Sequence, residues 1–521
     1  MISGSLGKSQ VSGADGPREV DGIRIRLTAR SPFIGGYLVV VGILILETAL
    51  EHRTKASPVV TTATQTLDVD LAVIGFGKGG KTLAGALAAR GRRVALIEQS
   101  AQMYGGTCIN IGCVPTKALA YQAEHPDLRV DPARWFSQAA QRKTTLTAAM
   151  RARNFEIFDS PQTAAVITGR ASFVAPHSLR VTCGGDELTV QAETIVLNTG
   201  AESSLPAIPG LRESTRVVTS TGMLELTERP DELVIIGGGY VGVEFATMQA
   251  AFGTRVTILQ RARHLLPQED PDISTEVETL LSQAGVRVIT NVTVNRVSDE
   301  EDRVRVEYQT TEGAGESVTG SLVLAALGRR PVTAGLGLAE VGIQVGERGE
   351  VLVDEHLRTS LPHVFAVGDV NGGPQFTYIS LDDHRIVLDQ LVGSGRRSVA
   401  DRVAVPHVVF TTPPLARVGL TEQEAAATRR PIRKALRRVA DMAIVPRAKI
   451  VADTRGVMKA LVDAETDEIL GVTLLAHDAH ELINSVALAM RTGLTASGLR
   501  DAIYTHPSMT EAFNDLFANL H

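Results

Sequence analysis

Cysteine is nearly absent from this sequence: its 521 residues include only Cys108, Cys113 and Cys183. Secreted proteins that depend on a framework of disulfide bonds need a denser set, so that class is excluded and a reducing, cytoplasmic location is favoured. Aromatic residues are also scarce, at 4% of the chain. We therefore expect hydrophobic cores that are built mainly from Ala, Val, Leu and Ile.

Positive charge is not in excess, because 52 Lys and Arg residues face 58 Asp and Glu residues. A net charge of −6 gives no indication of a basic surface, and we expect no nucleic-acid partner. The 44% of hydrophobic and 21% of charged residues are typical of a folded globular protein. At ~100–200 residues per domain, the length predicts about three or four domains.

Long apolar runs are few, and the most notable one lies near the N-terminus. Residues 31–46 contain no charged side chain, but a membrane-spanning helix needs about 20 apolar residues. No small-residue cleavage site typical of an exported protein follows this run. We predict that residues 1–66 are an unstructured extension or result from a misassigned start codon, with membrane contact through 31–46 as the alternative.

Glycine, in contrast, is plentiful and falls into two patterns that are typical of dinucleotide binding. Gly75, Gly77 and Gly80 follow an apolar run that predicts a buried parallel strand. The first glycine permits a tight turn, the second lets the backbone approach a pyrophosphate, and the third allows close packing of helix and strand. Glu98 ends the next apolar run, where an acidic side chain can bind the ribose hydroxyls of an adenosine.

The same order of strand, glycine loop, helix and strand returns at Gly237, Gly239 and Gly242. A single unit of this kind is weak evidence for function, because glycine-rich turns also occur without a ligand. Two units in one chain favour an enzyme that binds two dinucleotides.

The second unit differs from the first at the position that selects the nicotinamide cofactor. Gln260 stands where NADH-dependent enzymes carry an acidic residue, and Arg261 and Arg263 follow it. Loss of the carboxylate and gain of arginines favour a 2′-phosphate, so we expect NADPH, with NADH as the alternative. Arginines that are merely solvated at the surface would give the same pattern.

Cys108 and Cys113 lie in a glycine-rich segment, which in a reducing compartment indicates redox or metal chemistry. A regular helix would turn the two side chains to different faces, so Cys108 is expected to precede the helix, in a distorted turn. Pro115 fits the first turn of a helix that begins near Cys113, where the helix dipole favours a thiolate. Two structural thiols are the alternative, and a zinc site would need a second ligand pair.

The segment GGTCINIGCVPTK, residues 105–117, resembles the active site of the class I flavoprotein disulfide reductases, such as glutathione reductase, lipoamide dehydrogenase and mercuric reductase. The resemblance runs from about Leu67 to the C-terminus. It implies an α/β fold with two Rossmann-like domains, for FAD and NAD(P), and a C-terminal α+β domain that forms a homodimer. It also implies that Cys108 exchanges with the substrate and that Cys113 faces the flavin.

The order of the motifs divides the chain into three domains after the extension. We predict an FAD-binding domain from residues 67–229 and 329–400, an inserted NAD(P)-binding domain from 230–328, and a dimerisation domain from 401–521. Alternating polar and apolar segments in the last of these predict an antiparallel sheet that is followed by helices.

Further site residues follow from the resemblance alone. Lys117 is expected near the flavin in an ion pair with Glu244. Tyr240 is expected to gate the nicotinamide pocket, and Asp369, in the segment VFAVGD, to bind the ribitol chain of FAD. The other expected contacts to FAD are Gly106, Thr107 and Gly200.

His506 and Glu511 allow two interpretations. Ser508 and Glu511 form the S-x-x-E pattern of a capping box ahead of an apolar run, which would make Glu511 structural. Thiol chemistry, however, needs a group of near-neutral pKa to protonate a leaving thiolate, and histidine suits that role. The family has the pattern His-Pro-x-x-x-Glu here and uses it across a dimer, so we favour a catalytic His506 that Glu511 orients.

Within the family, residues 375–387 (QFTYISLDDHRIV) and 506–517 (HPSMTEAFNDLF) resemble the reactive-chlorine-resistance reductases of the RclA type. The extra C-terminal cysteine pair of mercuric reductases is missing. We therefore predict reduction of a disulfide, a thiol-reactive metal ion or an oxidant in oxidative-stress defence, without a resident metal. The alternatives are dithiol oxidation of the lipoamide dehydrogenase type and a membrane-tethered redox sensor without turnover.

Overall fold

The computed structural model describes residues 65–159 and 163–521. The predicted unstructured extension, including its apolar run 31–46, lies outside the described residues except for its last two positions, which begin the first strand. Within the described ranges, no helix is both long and apolar enough to cross a membrane. The fold is of the mixed α/β class that the sequence predicts.

The first part of the chain supplies six of the seven strands of a mainly parallel sheet. Its elements are β1 (Gln65–Ile74), α1 (Lys78–Ala88), β2 (Val94–Glu98), α2 (Thr107–Asn110), α3 (Cys113–Glu124), α4 (Pro132–Asp159), β3 (Ala164–Thr168), β4 (Arg170–Ala175), β5 (Ser178–Cys183) and β6 (Asp186–Leu197). The strand order is β3-β2-β1-β6-β5-β4; β3, β2, β1 and β6 are parallel, whereas β5 is antiparallel to both β6 and β4. Every residue of β2 is buried, because a parallel sheet is covered on both faces.

The middle of the chain forms a second parallel sheet and a smaller antiparallel one. Its elements are β7 (Ala201–Ser203), β8 (Val217–Val218), α5 (Ser220–Glu225), β9 (Glu232–Ile236), α6 (Tyr240–Ala251), β10 (Arg255–Leu259), α7 (Pro271–Gln283), β11 (Arg287–Ile289), β12 (Val292–Glu300), β13 (Arg303–Thr310), β14 (Gly315–Gly320), β15 (Leu322–Ala325) and β16 (Arg329–Pro331). The parallel order is β11-β10-β9-β15-β8, and β12-β13-β14 are antiparallel. The short strands β7 and β16 pair with each other.

The chain then returns to the first sheet. β17 (Val364–Ala366) pairs in parallel with β6, and α8 (Thr377–Val392) packs against α1. Residues 364–392 therefore lie beside the first glycine loop, although more than a hundred residues separate them from β6 in the sequence. A nucleotide-binding domain made from two stretches is consistent with this path, while the proposed domain boundaries stay predictions.

The last part of the chain forms an antiparallel sheet covered by helices, as the alternating pattern predicts. Its elements are β18 (His407–Val409), β19 (Leu415–Gly419), α9 (Glu422–Ala427), β20 (Ile432–Arg438), α10 (Pro446–Ile450), β21 (Val457–Asp463), β22 (Ile469–Leu475), α11 (Ala479–Arg491), α12 (Ala496–Arg500) and α13 (Ala512–Ala518). The strand order is β18-β19-β22-β21-β20. Leu482 and Val486 on α11 and Phe513 and Leu516 on α13 are buried in one core with this sheet, which explains the helical spacing of these apolar residues.

The topology places several loops at one edge of the first sheet. The carboxyl ends of β1, β6 and β17 meet next to the N-terminus of α1, since all three strands are parallel. In open parallel sheets, ligands bind at this edge.

Candidate active site

The first glycine loop joins β1 to α1 and lies tightly against the end of β6. Gly75 has a φ of +102°, and a Cβ atom there would clash with the backbone oxygen of Asn198. Cβ atoms on Gly77 and Gly80 would approach the Asn198 side chain to 2.5 and 2.8 Å. A larger residue at any of the three positions would push the loop away from the sheet, so the path of the backbone requires glycine.

Asn198 holds three segments together at this edge. Its Oδ1 accepts the backbone N–H of Gly80 at 3.0 Å, and its Nδ2 donates to the carbonyl oxygen of Val367 at 2.8 Å. The side chain is buried, so both hydrogen bonds are shielded from water. Sequence analysis missed this residue; the signal that could have identified it is a polar residue directly after a buried strand.

Glu98 lies where the sequence predicts it, at the end of β2 beside the glycine loop. Its Oε2 accepts the backbone N–H of Phe76 at 3.1 Å and its Oε1 accepts that of Ser100 at 3.2 Å. Burial raises the pKa of Glu98, and these backbone hydrogen bonds act against the rise. The carboxylate is thus fixed in position at the wall of the cavity beside the loop.

That cavity has a volume of about 1500 Å³. Most small-molecule pockets measure ~300–1,000 Å³, so this one is large enough for a dinucleotide. The first glycine loop and both close cysteines line it. All the residues that the sequence predicts as further FAD contacts line it too: Glu98, Gly106, Thr107, Lys117, Gly200 and Asp369.

Two features of the lining fit a bound FAD. A Cβ atom on Gly106 would come within 2.6 Å of the Gly77 Cα atom, so the cysteine-bearing segment passes directly over the first glycine loop. The carboxylate of Asp369 accepts no hydrogen bond from any other residue in the described ranges; burial raises its pKa, and the charge of Arg329 opposes that rise. A ribitol hydroxyl would give this carboxylate the partner that the protein does not supply.

The two cysteines lie on neighbouring short elements rather than on one helix. Cys108 lies in the one-turn helix α2, where the sequence predicts a distorted turn, and Gly112 separates α2 from α3. Cys113 is the first residue of α3, as predicted, and Pro115 is in its first turn. Both cysteines are free thiols here, and the Cys113 sulfur lies 3.5 Å from the Thr377 hydroxyl at the start of α8.

The surroundings of the two sulfur atoms give them opposite proton affinities. The pKa of Cys113 is lowered to about 6, first by a hydrogen bond from Cys108 and then by Thr377 and the charge of Lys117, which together outweigh the effect of burial. The same hydrogen bond, together with burial, raises the pKa of Cys108. At neutral pH the reduced pair therefore consists of a Cys113 thiolate and a Cys108 thiol.

Lys117 and Glu244 form the ion pair that the resemblance implies. The Lys117 nitrogen lies 2.7 Å from Glu244 Oε2, and the other carboxylate oxygen accepts the backbone N–H of Phe410 at 2.8 Å. The Lys117 nitrogen also lies 4.5 Å from the centroid of the Phe410 ring. The pair thus connects α3, α6 and the segment after β18.

Tyr240 is the first residue of α6 and lines two cavities at once. The second cavity, of about 380 Å³, also includes Gly239 of the second glycine loop. Gly239 faces open space, whereas Cβ atoms on Gly237 and Gly242 would clash with backbone oxygens. Gly239 is therefore the position at which a ligand can approach the backbone of the second unit.

Gln260 directly follows β10, the second strand of the second unit, and occupies the position that corresponds to Glu98 in the first unit. Gln260 Oε1 accepts the backbone N–H of Gly238 at 3.1 Å, and its Nε2 donates to the carbonyl oxygen of His264 at 3.1 Å. Arg261 and Arg263 are exposed, and neither forms a hydrogen bond or ion pair with another residue of the described chain. Both guanidinium groups are therefore free to meet an anionic ligand.

His506 and Glu511 contact each other near the C-terminus. His506 Nδ1 lies 2.9 Å from Glu511 Oε1, while Glu511 Oε2 accepts the backbone N–H of Ser508 at 2.9 Å. The Ser508 amide and His506 lower the pKa of Glu511. The Glu511 carboxylate thus makes both the contact with His506 that a catalytic role requires and the backbone contact that a capping box requires. His506 forms no hydrogen bond with either Cys108 or Cys113 of its own described chain.

Comparison with known families agrees with this geometry. Residues 69–383 match the family described as pyridine nucleotide-disulphide oxidoreductase, and residues 405–517 match its dimerisation domain. The chain belongs to this family. It is thus an oxidoreductase of the class that the sequence predicts, and its dimerisation domain supports a homodimer. The family is FAD-dependent and uses a pyridine nucleotide.

Among curated family members, the chain is 48% identical to the probable pyridine nucleotide-disulfide oxidoreductase RclA of Escherichia coli K12, over 86% of this chain and 98% of that protein. It is 36% identical to the mercuric reductase of Streptomyces lividans, over 85% and 94%. The dihydrolipoyl dehydrogenase of Geobacillus stearothermophilus is 32% identical, over 85% and 94%. The predicted resemblance to RclA-type reductases is confirmed.

Solved structures of the family show the same likeness. A Cu(II) complex of the HOCl-induced flavoprotein disulfide reductase RclA from E. coli superimposes with a TM-score of 0.82 at 48% identity, over 87% of this chain and 99% of that one. A second structure of the HOCl-induced flavoprotein disulfide reductase RclA from E. coli gives a TM-score of 0.81 at 48% identity, over 86% of this chain and 99% of that one.

Five residues at the candidate active site were not predicted from the sequence. They are Asn198, Thr377, Glu269, His407 and Arg417, and each contacts a predicted site residue. Thr377 lies in the segment that carries the RclA resemblance, but nothing in that pattern places its hydroxyl beside Cys113. The functional roles of the predicted site residues stay predictions.

Proposed function

We propose that this protein is an NADPH-preferring flavoprotein reductase in which Cys108 and Cys113 carry electrons to the substrate. The observation that supports this most strongly is the coupled pair of thiols in the FAD-sized cavity, with the pKa of Cys113 lowered to about 6. A structural pair of cysteines would have no reason to hold one sulfur as a thiolate beside a lysine.

Bound FAD would supply the transfer of an electron pair from the nicotinamide to the cysteine disulfide. The first glycine loop, with Gly75, Gly77 and Gly80, would hold its pyrophosphate against the N-terminus of α1. Glu98 would bind the ribose hydroxyls of its adenosine, and Asp369 would bind a hydroxyl of its ribitol chain. Cys113, at the start of α3, is stabilised as a thiolate by the hydrogen bond from Cys108, by the charge of Lys117 and by the helix dipole.

Cys108 would be the sulfur that meets the substrate. Once deprotonated, it attacks one sulfur of a disulfide substrate, and the other sulfur leaves as a thiolate. Cys113 then attacks Cys108 in the mixed disulfide, which releases the second thiolate and closes the Cys108–Cys113 bond. With Cu(II) as acceptor, two ions would each take one electron from the dithiol, and the protons of the pair would be released as the disulfide forms.

His506, with Glu511 at its Nδ1, would move the protons that this exchange requires. A histidine suits that role because its ordinary pKa lies near neutrality, and the carboxylate fixes its orientation. Since His506 forms no hydrogen bond with Cys108 or Cys113 within the described part of its own chain, we propose that it serves the cysteines of the second subunit in a homodimer.

The substrate that we favour is a thiol-reactive metal ion, an oxidant or a disulfide that accumulates under oxidative stress. Support comes from the 48% identity to RclA of E. coli, an HOCl-induced reductase that two solved structures show as a Cu(II) complex. Among metal ions we favour copper over mercury, because the chain lacks the extra cysteine pair of mercuric reductases.

A panel of acceptors tests this proposal. Oxidation of NADPH by the purified holoenzyme is followed with glutathione disulfide, lipoamide, Cu(II) and Hg(II), in the wild type, Cys108→Ser and Cys183→Ser. We expect turnover with at least one acceptor and a loss of about 100-fold or more in Cys108→Ser, because the attacking sulfur is gone. Cys183, which ends β5 and does not line the cavity, is the matched control, and Cys183→Ser should leave turnover unchanged.

Turnover that survives in Cys108→Ser would show that the cysteine pair lies outside the electron path. Fast oxidation of dihydrolipoamide with NAD⁺ would instead favour the lipoamide dehydrogenase alternative. Absence of turnover with every acceptor would favour a sensor.

A further inference from the structure

Tyr240 forms part of the wall between the two cavities. It lines the large cavity beside the first glycine loop and the smaller one beside the second. Its ring must therefore move if a nicotinamide in the second cavity is to reach the first, a statement that rests on the proposed function. The contacts that hold the Tyr240 ring in place therefore determine the free energy needed to bring the nicotinamide to the flavin.

The Tyr240 hydroxyl is held by a buried carboxylate. It donates to Glu269 Oε1 at 3.1 Å, and the Glu269 side chain is fully shielded from solvent. His407 Nε2 lies 3.1 Å from the same oxygen, and Arg417 Nε donates to Oε2 at 2.8 Å. We refer to the Glu269 carboxylate with these three partners, Tyr240, His407 and Arg417, as the latch.

The latch keeps its carboxylate ionised although it is buried. Burial alone would raise the pKa of Glu269, but the hydrogen bond from His407 and the charge of Arg417 lower it by more. An ionised carboxylate is a stronger acceptor for the Tyr240 hydroxyl than a neutral one, so the hydrogen bond that fixes the ring is charge-assisted.

The latch is anchored outside the second glycine unit. His407 lies on β18 and Arg417 on β19, both in the C-terminal sheet, whereas Tyr240 begins α6. Arg417 also donates to the carbonyl oxygens of Gly419 and Gln268, at 3.1 and 3.3 Å. The acceptor is therefore held rigidly and does not follow the tyrosine when it moves.

The rings next to the latch limit the directions in which Tyr240 can move. Its ring lies 5.9 Å from the His407 ring at an angle of 24°, and His407 lies 6.3 Å from Phe376 at 18°. Phe376 in turn stacks on Tyr378 at 5.1 Å. These near-parallel rings line the large cavity together with Tyr240, so they limit how far the Tyr240 ring can move toward them.

We propose that Glu269 is a positioning residue that holds Tyr240 closed, so that nicotinamide binding must break the hydrogen bond between the Tyr240 hydroxyl and Glu269. Arg417 and His407 fix the position of Glu269 and keep it charged, and both also lie beside Tyr240. The latch therefore weakens cofactor binding and keeps the flavin face covered until a nicotinamide arrives.

The test is a double-mutant cycle on the holoenzyme, read as the dissociation constant of NADP⁺ by titration calorimetry. Tyr240→Phe keeps the ring and removes the hydroxyl, so NADP⁺ should bind about tenfold more tightly. Glu269→Gln should tighten binding in the same direction. The double variant should bind no more tightly than Tyr240→Phe, since Tyr240→Phe already removes the hydrogen bond that Glu269→Gln weakens.

A matched control is available in the three-stranded sheet. The Tyr308 hydroxyl donates to Glu316 Oε2 at 2.8 Å, which is the same pairing on β13 and away from both cavities. Tyr308→Phe should leave the NADP⁺ dissociation constant unchanged. If Glu269→Gln fails to fold, Tyr240→Phe alone still decides the matter, because it changes a single hydroxyl.

An NADP⁺ dissociation constant that stays within about twofold of wild type in Tyr240→Phe overturns the latch. The latch is also overturned if the change in the NADP⁺ dissociation constant of the double variant equals the product of the changes in Tyr240→Phe and Glu269→Gln. Failure of the proposed function has a different signature, namely turnover that no longer depends on Cys108. The KM for NADPH should fall in Tyr240→Phe while the KM for the electron acceptor stays constant.

Discussion

At the scale of single residues, the distribution of one proton between two sulfur atoms determines the chemistry of the dithiol. The pKa of Cys113 is lowered first by the hydrogen bond that Cys108 donates, and only then by Thr377 and Lys117. The pKa of Cys108 is raised by the same contact. The two residues therefore work as a donor and an acceptor, and neither pKa belongs to one residue alone.

This coupling predicts different behaviour for two substitutions of Cys108. In the reduced enzyme, the Cys113 thiolate persists above pH of about 6 and is lost as the pH falls below that value. Cys108→Ser retains a hydroxyl donor and should keep the pKa of Cys113 low. Cys108→Ala removes the donor, so the pKa should rise toward the ~8.5 of a free cysteine and the thiolate should be lost near neutral pH.

The pH dependence of alkylation measures this difference. Iodoacetamide is reacted with each reduced variant between pH 5 and about 9, and the rate of Cys113 modification is followed by mass spectrometry of its peptide. Equal midpoints for the Ser and Ala variants would show that the helix dipole and Lys117, rather than Cys108, set the pKa of Cys113.

At the scale of secondary-structure elements, one carboxylate joins three segments around the cysteines. Glu244 on α6 pairs with Lys117 on α3 and accepts the backbone N–H of Phe410, which follows β18. The carboxylate is largely shielded from solvent, so a substitution that removes it leaves two polar groups without their partner.

Two substitutions of Glu244 separate these contributions. Glu244→Ala should lower the free energy of unfolding by about 1–3 kcal/mol, because the Phe410 N–H loses its acceptor. Glu244→Gln keeps an acceptor for that N–H and should cost less, about 1 kcal/mol, since only the charge of the pair is lost. Denaturant unfolding of the holoenzyme measures both. Equal losses in the two variants would mean that the contact with Phe410 contributes nothing.

The loop after β10 carries the proposed preference for NADPH. Gln260 uses both ends of its amide on the protein, while Arg261 and Arg263 are exposed and unpaired within the described ranges. Removal of both guanidinium groups, in Arg261→Ala/Arg263→Ala, should reduce kcat/KM for NADPH by about 100-fold, because two charge-assisted contacts to a phosphate are lost.

NADH provides the comparison, since it lacks the 2′-phosphate. Its kcat/KM should change by less than about threefold in the same double variant. Arg255→Ala is a suitable control, because Arg255 starts β10 at the opposite end and pairs with Glu232 at 2.6 Å. A parallel fall with both cofactors would show that the arginines support the fold of the loop rather than recognise a phosphate.

At the scale of the whole molecule, the proposed active site needs a second subunit. His506 contacts neither cysteine of its own described chain, and the chain contains the dimerisation domain of its family. Large apolar side chains are exposed in that part of the single chain, among them Leu488 on α11 and Ile503 after α12. Exposed apolar groups of this size are typical of a surface that another subunit covers.

Hybrid dimers test this arrangement directly. A Cys108→Ser chain and a His506→Ala chain with different affinity tags are co-expressed, and the hybrid dimer is isolated by two successive purifications. Each hybrid has one site with all its groups if His506 acts across the interface, so turnover should recover to about half that of wild type. If His506 acts within its own chain, both sites of the hybrid are defective and turnover stays at the level of the parent variants.

Local patterns in the sequence were sufficient to predict many of the strands and helices of this protein. The apolar runs before Gly75 and Gly237 predicted the last part of β1 and most of β9, because the part of a strand that is buried on both faces must be apolar. The spacing of Cys108, Cys113 and Pro115 predicted a helix that begins at the second cysteine. The alternating segments after residue 405 predicted the antiparallel sheet.

The sequence by itself thus determined the α/β class, the two glycine units and the cysteine pair, since each depends on neighbouring residues and on backbone geometry. Only the tertiary structure decided which distant side chains meet them: Thr377 beside Cys113, Asn198 beneath the first glycine loop, and Glu269 on Tyr240. The physical reason is that such contacts depend on how sheets pack against one another. A polar residue far along the chain carries no local pattern that reveals its partner, whereas burial in a shared core fixes that partner and makes an unpaired group costly.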